Sequence, residues 1–231
     1  MKVKITAHSG CDGYATNSEE YILHALSLPI SALEVDVRRN LDGSLILTHN
    51  PLEHEQDYLT LREAFGLLRT VNVCINCDLK EKGLEHDVLN LARESGINRE
   101  RIIFTGTLTD WRDEELSEFV WLNPEEVIRD FYEGNNDPER VILEAAEHHY
   151  PAVNIDYRYV DDKLLRQAER YGVGVSLWTV DDVQALTENL YVPPIINITT
   201  NYPIKLYTFM QERGFTHGHS ERFSRQPQQI S

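Results

Sequence analysis

Short apolar runs alternate with amphipathic stretches along most of the chain. An apolar run of four to eight residues is typical of a buried strand, whereas apolar residues at i, i+3 and i+4 are typical of a helix. The predicted strands are Val3–Ala7, Ala32–Val37 with Ser44–His49, Val71–Leu79, Arg101–Thr105, Phe119–Leu122, Ala152–Ile155, Val173–Trp178 and Ile195–Thr199. The predicted helices are Ser18–Leu28, Leu61–Leu68, Leu84–Ser95, Asp110–Glu118 with Thr109 as N-cap, a region from Pro124 to His149 that breaks at Gly134, Asp161–Tyr171, Asp181–Leu190 and Pro203–Arg213.

This alternation amounts to close to eight strand–helix units with no linker between them. Eight parallel strands with alternating helices form a (β/α)8 TIM barrel, so we predict a single α/β domain over residues 1–213. A doubly wound open sheet is the alternative, but no G-x-G-x-x-G motif follows the first strand. From residue 214 the chain becomes polar, and residues 214–231 are predicted to be a C-terminal tail.

Composition narrows the possible partners. The 231 residues carry a formal net charge of −16, which disfavours nucleic acids and anionic membranes as ligands. Phosphorylated small molecules remain possible because they need only a local basic group. No signal peptide or integral membrane segment is apparent, and Cys74 and Cys77 lack the second pair that a zinc site needs. We therefore expect a cytoplasmic protein with reduced packing thiols, of an oligomeric state that the sequence leaves open.

Candidate chemistry first appears in the segment Leu33–Asn50, two strand-like runs joined by a turn. Alternate side chains of a strand share a face, so Glu34 and Asp36 point to one side and their apolar neighbours to the other. Two carboxylates on one face need water, a cation or a metal, and their oxygens suit Mg²⁺ or Ca²⁺. The second run ends in His49, which can transfer protons near neutral pH. Taken alone, the segment is equally consistent with a solvated edge hairpin.

Other predicted strands also end in polar residues. Functional groups of a (β/α)8 barrel lie where the strands end at its C-terminal mouth. Three acids, two histidines and a lysine are expected to meet there, which indicates an active site, although a lone strand-end histidine is more often structural. The strand-end residues are His8, Ser9, Glu34, Asp36, His49, Asp78, Lys80, Trp178, Thr179 and Thr199–Asn201.

Five segments of the chain form a recognisable set: AHSG (7–10), LEVDVRRNLDGSLILTHN (33–50), INCDLK (75–80), VSLWTVDD (175–182) and ITTNYP (198–203). In their order and spacing the chain resembles the glycerophosphodiester phosphodiesterase family. The resemblance implies a (β/α)8 barrel that uses one divalent cation, Mg²⁺ or Ca²⁺, to hydrolyse small phosphodiesters to glycerol 3-phosphate and an alcohol. It also implies that the glycerol 2-hydroxyl attacks first and that water then opens a cyclic phosphate. The matching positions are His8 and His49 as catalytic histidines, Glu34, Asp36 and Asp78 as metal ligands, with Asp78 where the family normally has Glu, and Lys80 as the lysine that follows.

The chain departs from the family pattern at several positions. Ser9 stands where the family has an arginine, Asn50 stands in place of an aspartate, and Ala15–Ser18 replaces a Pro-Glu-Asn-Thr motif. Only the segment NPLEHEQDYLT follows His49, so little or no cap insertion is expected. These changes concern the substrate more than the reaction.

A diester anion still needs a counter-charge besides the metal. We expect Arg38, on the same strand face as the metal ligands, to replace the missing arginine, with Lys80 adding a second charge. A solvated Arg38 in a hairpin is the alternative. Ser9 and Trp178 complete the expected contacts to the substrate.

The same residues account for the chemistry directly. A metal held by three carboxylates can bind a non-bridging phosphate oxygen, and two histidines can act as general acid and base. The sequence does not assign the two roles. Two other functions remain open: a lysophospholipase D-like phosphodiesterase, and an inactive barrel that only binds a phosphorylated ligand.

Overall fold

The computed structural model describes residues 3–52, 57–110, 112–182 and 193–214. Strands and helices alternate along it as the hydrophobic pattern predicts. The strands are β1 Lys4–Ala7, β2 Ala32–Arg39, β3 Leu45–Leu47, β4 Cys74–Leu79, β5 Ile102–Gly106, β6 Trp121–Leu122, β7 Ala152–Asp156, β8 Gly174–Trp178 and β9 Ile195–Thr200. The helices are α1 Glu19–Leu26, α2 Leu61–Leu68, α3 Glu85–Glu94, α4 Pro124–Val127, α5 Pro138–Glu147, α6 Asp162–Tyr171 and α7 Pro203–Glu212.

Eight of these strands form one parallel sheet in the order β5-β4-β2-β1-β9-β8-β7-β6. A parallel bridge between Phe104 in β5 and Val120, directly before β6, brings the two ends of the sheet together. Strand β3 lies outside this path and pairs antiparallel with β2, with Arg38 opposite Ile46. The predicted (β/α)8 barrel in a single domain is confirmed.

The two faces of the strands differ in chemistry. Leu33, Val35 and Val37 of β2 are fully buried in the main hydrophobic cluster, together with apolar residues of the surrounding helices. A small apolar cluster of Ala32, Cys74, Ile103, Trp121 and Ala152 forms separately. Cys74 and Cys77 are free and buried, as expected of packing thiols.

The predicted helix Asp110–Glu118 is wrong. Its described residues form turns and a 3₁₀ turn at Ser117–Phe119. Asp110 and Asp113 accept hydrogen bonds from the backbone N–H groups two residues ahead, at 3.0 and 2.9 Å, and such local bonds compete with a helix. Thr109 does not cap a helix, because its hydroxyl donates to Glu85 Oε2 at 2.8 Å.

Two further expectations fall partly or wholly outside the described residues. The predicted helix Asp181–Leu190 is described only at residues 181 and 182, and the predicted tail only at residue 214. Between β3 and α2 the chain has only residues 48–60, of which 53–56 lie outside the description. None of the described helices has the length and apolar character needed to cross a membrane.

Candidate active site

A cavity of about 960 Å³ opens at the ends of the barrel strands. The structure brings eight of the nine predicted site residues to its wall, and the exception is Arg38. The residues that line it include His8, Ser9, Asn17, Glu34, Asp36, His49, Asn50, Asn76, Asp78, Lys80, Thr105, Asn123, Glu125, Asn154, Trp178, Thr179 and Thr199.

Three carboxylates converge at the base of this cavity. Glu34 and Asp36 project from β2 and Asp78 from β4, and one oxygen of each lies within 4.8 Å of the other two. The register of β2 and β4 places Asp36 directly opposite Asp78. Glu34 and Asp36 are only 5% and 4% exposed, so the charges are held close together away from bulk water.

Hydrogen bonds fix the orientation of each carboxylate. Glu34 Oε2 accepts the backbone N–H of Ser9 at 2.8 Å, and Asp78 Oδ1 accepts the hydroxyl of Thr105 at 3.0 Å. Asn17 holds Asp36 twice: its amide donates to Asp36 Oδ2 at 2.8 Å, and its carbonyl accepts the Asp36 backbone N–H at 3.0 Å. The carboxylate cluster is therefore preorganised by its neighbours.

The cluster carries unfavourable charge without a cation. Burial, followed by the charges of Asp36 and Asp78, raises the pKa of Glu34 well above its ordinary value. The ammonium of Lys80 lies 2.8 Å from Asp36 Oδ1 and also pairs with Asp78. Burial alone would lower the pKa of Lys80, but the charges and hydrogen bonds of Asp78 and Asp36 raise it above its ordinary value.

The donor set fits one hard divalent cation. All three ligands offer oxygen, which Mg²⁺ and Ca²⁺ prefer. A dication would offset the repulsion that makes Glu34 hard to ionise. Lys80 neutralises part of the charge and leaves the remainder for a cation.

His8 is held in one tautomer by a chain of hydrogen bonds. Asp181 accepts the side-chain amide of Asn201 at 2.8 Å and its backbone N–H at 2.9 Å. A carboxylate only accepts, so the amide nitrogen of Asn201 faces Asp181 and its oxygen faces His8 Nδ1 at 2.9 Å. The Nδ1 atom therefore carries a proton, and Nε2 lies 4.0 Å from Glu34 Oε2.

His49 lies at the exposed end of the β3 segment. Its Nδ1 atom lies 3.2 Å from Asn50 Oδ1, which leaves Nε2 as the nitrogen available to a ligand. Asn50 therefore takes the orienting position beside the imidazole.

Arg38 does not reach the cavity as we expected. Its Nη2 and Nε atoms donate to the backbone carbonyl of His49 at 3.1 and 3.2 Å, and its Nη1 atom lies 3.5 Å from Glu81 Oε2. A guanidinium so engaged is not available to a phosphate, and it instead supports the loop that carries His49. Lys80 is then the one lysine or arginine among the described residues that line the cavity.

Ser9 and Trp178 do line the cavity. The backbone of Ser9 holds Glu34, and its hydroxyl accepts the backbone N–H of Asn17 at 3.1 Å. The ring of Trp178 packs edge-on against Tyr132, with centroids 6.0 Å apart.

Sequence reasoning missed three contributors to the site, Asn17, Glu125 and Asp181, and it listed Asn201 as a strand-end residue without a role. Asn17 was visible only as a remnant of the altered Pro-Glu-Asn-Thr motif, and Asp181 and Asn201 lay unassigned within two matched segments. Glu125 follows Pro124 in α4 and belongs to no motif, so no sequence signal marked it.

The fold and the site together define a (β/α)8 barrel with an acidic, metal-compatible centre and two histidines at its C-terminal mouth. No protein-family model matches the sequence, and no curated protein matches it significantly. The structure, in contrast, is similar to solved phosphodiesterase structures.

A protein from Agrobacterium tumefaciens, provisionally called a glycerophosphoryl diester phosphodiesterase, aligns with a TM-score of 0.76 at 18% identity, covering 93% of this chain and 99% of its own. The glycerophosphodiester phosphodiesterase of Thermotoga maritima aligns with a TM-score of 0.70 at 17% identity, covering 91% and 99%. A phosphodiesterase of Oleispira antarctica, solved with the product sn-glycerol-3-phosphate, aligns with a TM-score of 0.64 at 15% identity, covering 90% and 96%. The resemblance seen in the sequence motifs therefore holds at the level of the fold.

Proposed function

We propose that this protein is a metal-dependent phosphoric diester hydrolase that converts glycerophosphodiesters to glycerol 3-phosphate and an alcohol. The observation that carries the proposal is the convergence of Glu34, Asp36 and Asp78 with His8 and His49 on one cavity. A module that only binds a ligand has no need of a proton-transfer pair beside a metal site. The similarity in fold to glycerophosphodiester phosphodiesterases supports the same reaction.

Glu34, Asp36 and Asp78 would hold the cation, either Mg²⁺ or Ca²⁺. When bound, the metal supplies a Lewis acid that stabilises negative charge on the phosphate oxygens. Lys80 keeps two of the ligands in place and adds a positive charge beside the phosphate.

We assign the role of general base to His8 and that of general acid to His49. With Nδ1–H bound to Asn201, the Nε2 atom of His8 accepts the proton of the glycerol 2-hydroxyl as that oxygen attacks phosphorus. Protonated His49 gives its proton to the leaving alkoxide, so the alcohol departs neutral and a cyclic phosphate remains. Water then opens the ring: His49 takes a proton from water, and His8 returns its proton to the 2-oxygen.

Turnover of small diesters tests the proposal. The purified protein should release glycerol 3-phosphate from glycerophosphocholine or glycerophosphoethanolamine when Mg²⁺ or Ca²⁺ is present. EDTA should abolish this activity, and excess cation should restore it.

The alternatives give different results. An inactive barrel would release no product under any metal condition. A lysophospholipase D-like enzyme would hydrolyse lysophosphatidylcholine in preference to glycerophosphocholine. Activity that persists in EDTA would contradict the assignment of the three carboxylates.

A further inference from the structure

One wall of the cavity carries two polar atoms that have no partner within the described residues. Glu125 Oε2 and Trp178 Nε1 are both shielded from solvent and form no hydrogen bond there. Both side chains line the same cavity as the carboxylates and histidines. Buried acceptors and donors in folded proteins are nearly always paired with protein or ordered water, so both atoms have hydrogen-bonding capacity that the described residues leave unused.

The wall is backed by aromatic side chains. Tyr132 packs against Trp178 on one side and against Tyr159 on the other, with centroids 6.0 and 4.8 Å apart. Its hydroxyl accepts the backbone N–H of Asp156 at 3.2 Å, which fixes the ring. Burial first, and the charge of Glu125 second, raise the pKa of Tyr132, so Glu125 lies close to this aromatic group.

Charge indicates what the wall binds. A dication and Lys80 together balance Glu34, Asp36 and Asp78, and an imidazolium of the histidine pair balances the diester. Glu125, like Asp57, which also lines the cavity, is then an acid that no described lysine or arginine of the cavity neutralises. Burial, together with the charges of Glu126, Asp78 and Asp156, raises its pKa, so a cation bound beside it would favour its ionised form.

We propose that Glu125 and Trp178 form the subsite for the leaving alcohol and select an alcohol with a protonated primary amine, such as ethanolamine. The inference rests on the proposed function and goes further by naming the alcohol. The ammonium donates a charge-assisted hydrogen bond to Glu125 Oε2 and lies against the electron-rich indole. The indole N–H donates to an oxygen of the same substrate.

The unpaired carboxylate oxygen of Glu125 distinguishes a primary ammonium from the corresponding groups of other leaving alcohols. The trimethylammonium of choline brings charge but has no N–H, so it leaves Glu125 Oε2 without a partner. Glycerol as leaving alcohol brings hydroxyls but no charge, and serine adds a carboxylate that Glu125 repels. A site that hydrogen-bonds its substrate discriminates strongly against an analogue that cannot form that bond, whereas an apolar pocket discriminates only weakly between groups of similar shape.

Steady-state kinetics on four glycerophosphodiesters tests the inference. With Mg²⁺ or Ca²⁺ bound, we expect the kcat/KM for glycerophosphoethanolamine to be at least about tenfold higher than the kcat/KM for glycerophosphoglycerol or glycerophosphoserine. The value for glycerophosphocholine should lie between these two levels. Glu125→Gln keeps the shape but removes the charge, and should shrink the preference to within about twofold.

Glu126→Gln is the matched control. Glu126 is the next residue, also a half-buried carboxylate, but it lies outside the cavity and accepts the backbone N–H of Leu108 at 3.4 Å. The Glu126→Gln substitution should leave the preference for glycerophosphoethanolamine unchanged.

The outcomes separate the two proposals. Wild-type turnover without an ethanolamine preference, or a preference that survives Glu125→Gln, overturns the inference and leaves the proposed function standing. Turnover of none of the four diesters overturns both. Loss of the preference in Glu125→Gln but not in Glu126→Gln supports the inference.

Discussion

At the scale of single residues, the site depends on side chains that touch no substrate as well as on those that do. Asn17 holds Asp36, the backbone of Ser9 holds Glu34, and Asn201 fixes the tautomer of His8. Gly106 contributes by having no side chain. Its φ is +82°, and a Cβ there would overlap the Leu79 carbonyl and Asp78 Oδ1.

Gly106→Ala should therefore disturb the metal site itself. We expect the affinity for Mg²⁺ or Ca²⁺, measured by calorimetric titration, to fall at least about tenfold, because Asp78 must move from its shared position. Gly43→Ala is the control, since Gly43 has a similar φ of +88° but open space around it. Its cost is limited to backbone strain, about 1–2 kcal/mol. Equal metal affinity in the two variants would refute the role of Gly106.

The histidine pair makes the second prediction at this scale. His8→Ala and His49→Ala should each lower kcat on a glycerophosphodiester by at least about 100-fold, because each removes one proton transfer. His86→Ala is the control, since His86 is exposed and lies near Asp113, away from the cavity. A kcat within a few-fold of wild type would remove the substituted histidine from the mechanism.

At the scale of elements, the strands combine an apolar outer face with an inner face that is polar apart from the small cluster around Trp121. Asn197 links Thr6 and Ser176 by hydrogen bonds of 2.8 and 3.0 Å, and Ser176 donates to Asn154 at 2.9 Å. This network lies among neighbouring strands of the barrel. The outer faces pack on helices, so packing energy comes from the helix layer and leaves the inner face available for chemistry.

Helix α2 illustrates how a helix of this layer is stabilised at its start. Thr60 and Glu63 form a capping box: the Thr60 hydroxyl accepts the Glu63 N–H, and the Glu63 carboxylate accepts the Thr60 N–H at 2.8 Å. The helix then buries Leu61, Phe65 and Leu68 against the sheet.

Thr60→Ala should destabilise the protein by about 1 kcal/mol in urea unfolding at neutral pH. The hydrogen bonds from Thr60 lower the pKa of Glu63, so their contribution is present above the ordinary pKa near 4.3 and is lost as the pH falls through the folded-state value. The penalty should shrink in acid. Thr70→Ala, in the exposed turn after α2, should change stability little at any pH. A Thr60→Ala penalty independent of pH would argue against the capping box.

At the scale of the whole molecule, barrel stability is coupled to the charge of the site. The folded-state pKa of Glu34 is raised above its unfolded value near 4.3. The protonated carboxyl therefore stabilises the fold below that pH, and this stabilisation is lost as the pH rises through the folded-state pKa. Cation binding to the native state should reverse the loss.

Glu34→Gln should accordingly raise the thermal midpoint of metal-free protein at pH near 8 by at least about 2 °C relative to wild type. Mg²⁺ or Ca²⁺ should stabilise wild type but not the variant, which lacks one ligand. Scanning calorimetry with and without EDTA measures both effects. Glu115→Gln, at an exposed position, should behave as wild type. A metal shift retained in Glu34→Gln would contradict the site.

The sequence by itself determined the strand–helix alternation, the inward face of β2 and eight of the residues that line the cavity. These features follow from local periodicity: Glu34 and Asp36 share a face wherever β2 is placed, and His8 and Asp78 end strands in any parallel barrel. Competition between helix formation and local side-chain hydrogen bonds was harder to predict from the sequence. The aspartates around residue 110 form turns where the apolar spacing predicts a helix.

Only the tertiary structure decided which partners those side chains meet. Asn201 contacts His8 across 193 positions of sequence, and Gly106 makes room for Asp78 from the next strand. The position of Arg38 in β2 determines the strand face on which it lies. The hairpin, however, brings the backbone carbonyl of His49 close enough for the Arg38 guanidinium to donate a hydrogen bond to it. Strand periodicity fixes the side on which a residue lies. Barrel closure and register fix its neighbours, because contacts between distant strand ends depend on the whole sheet.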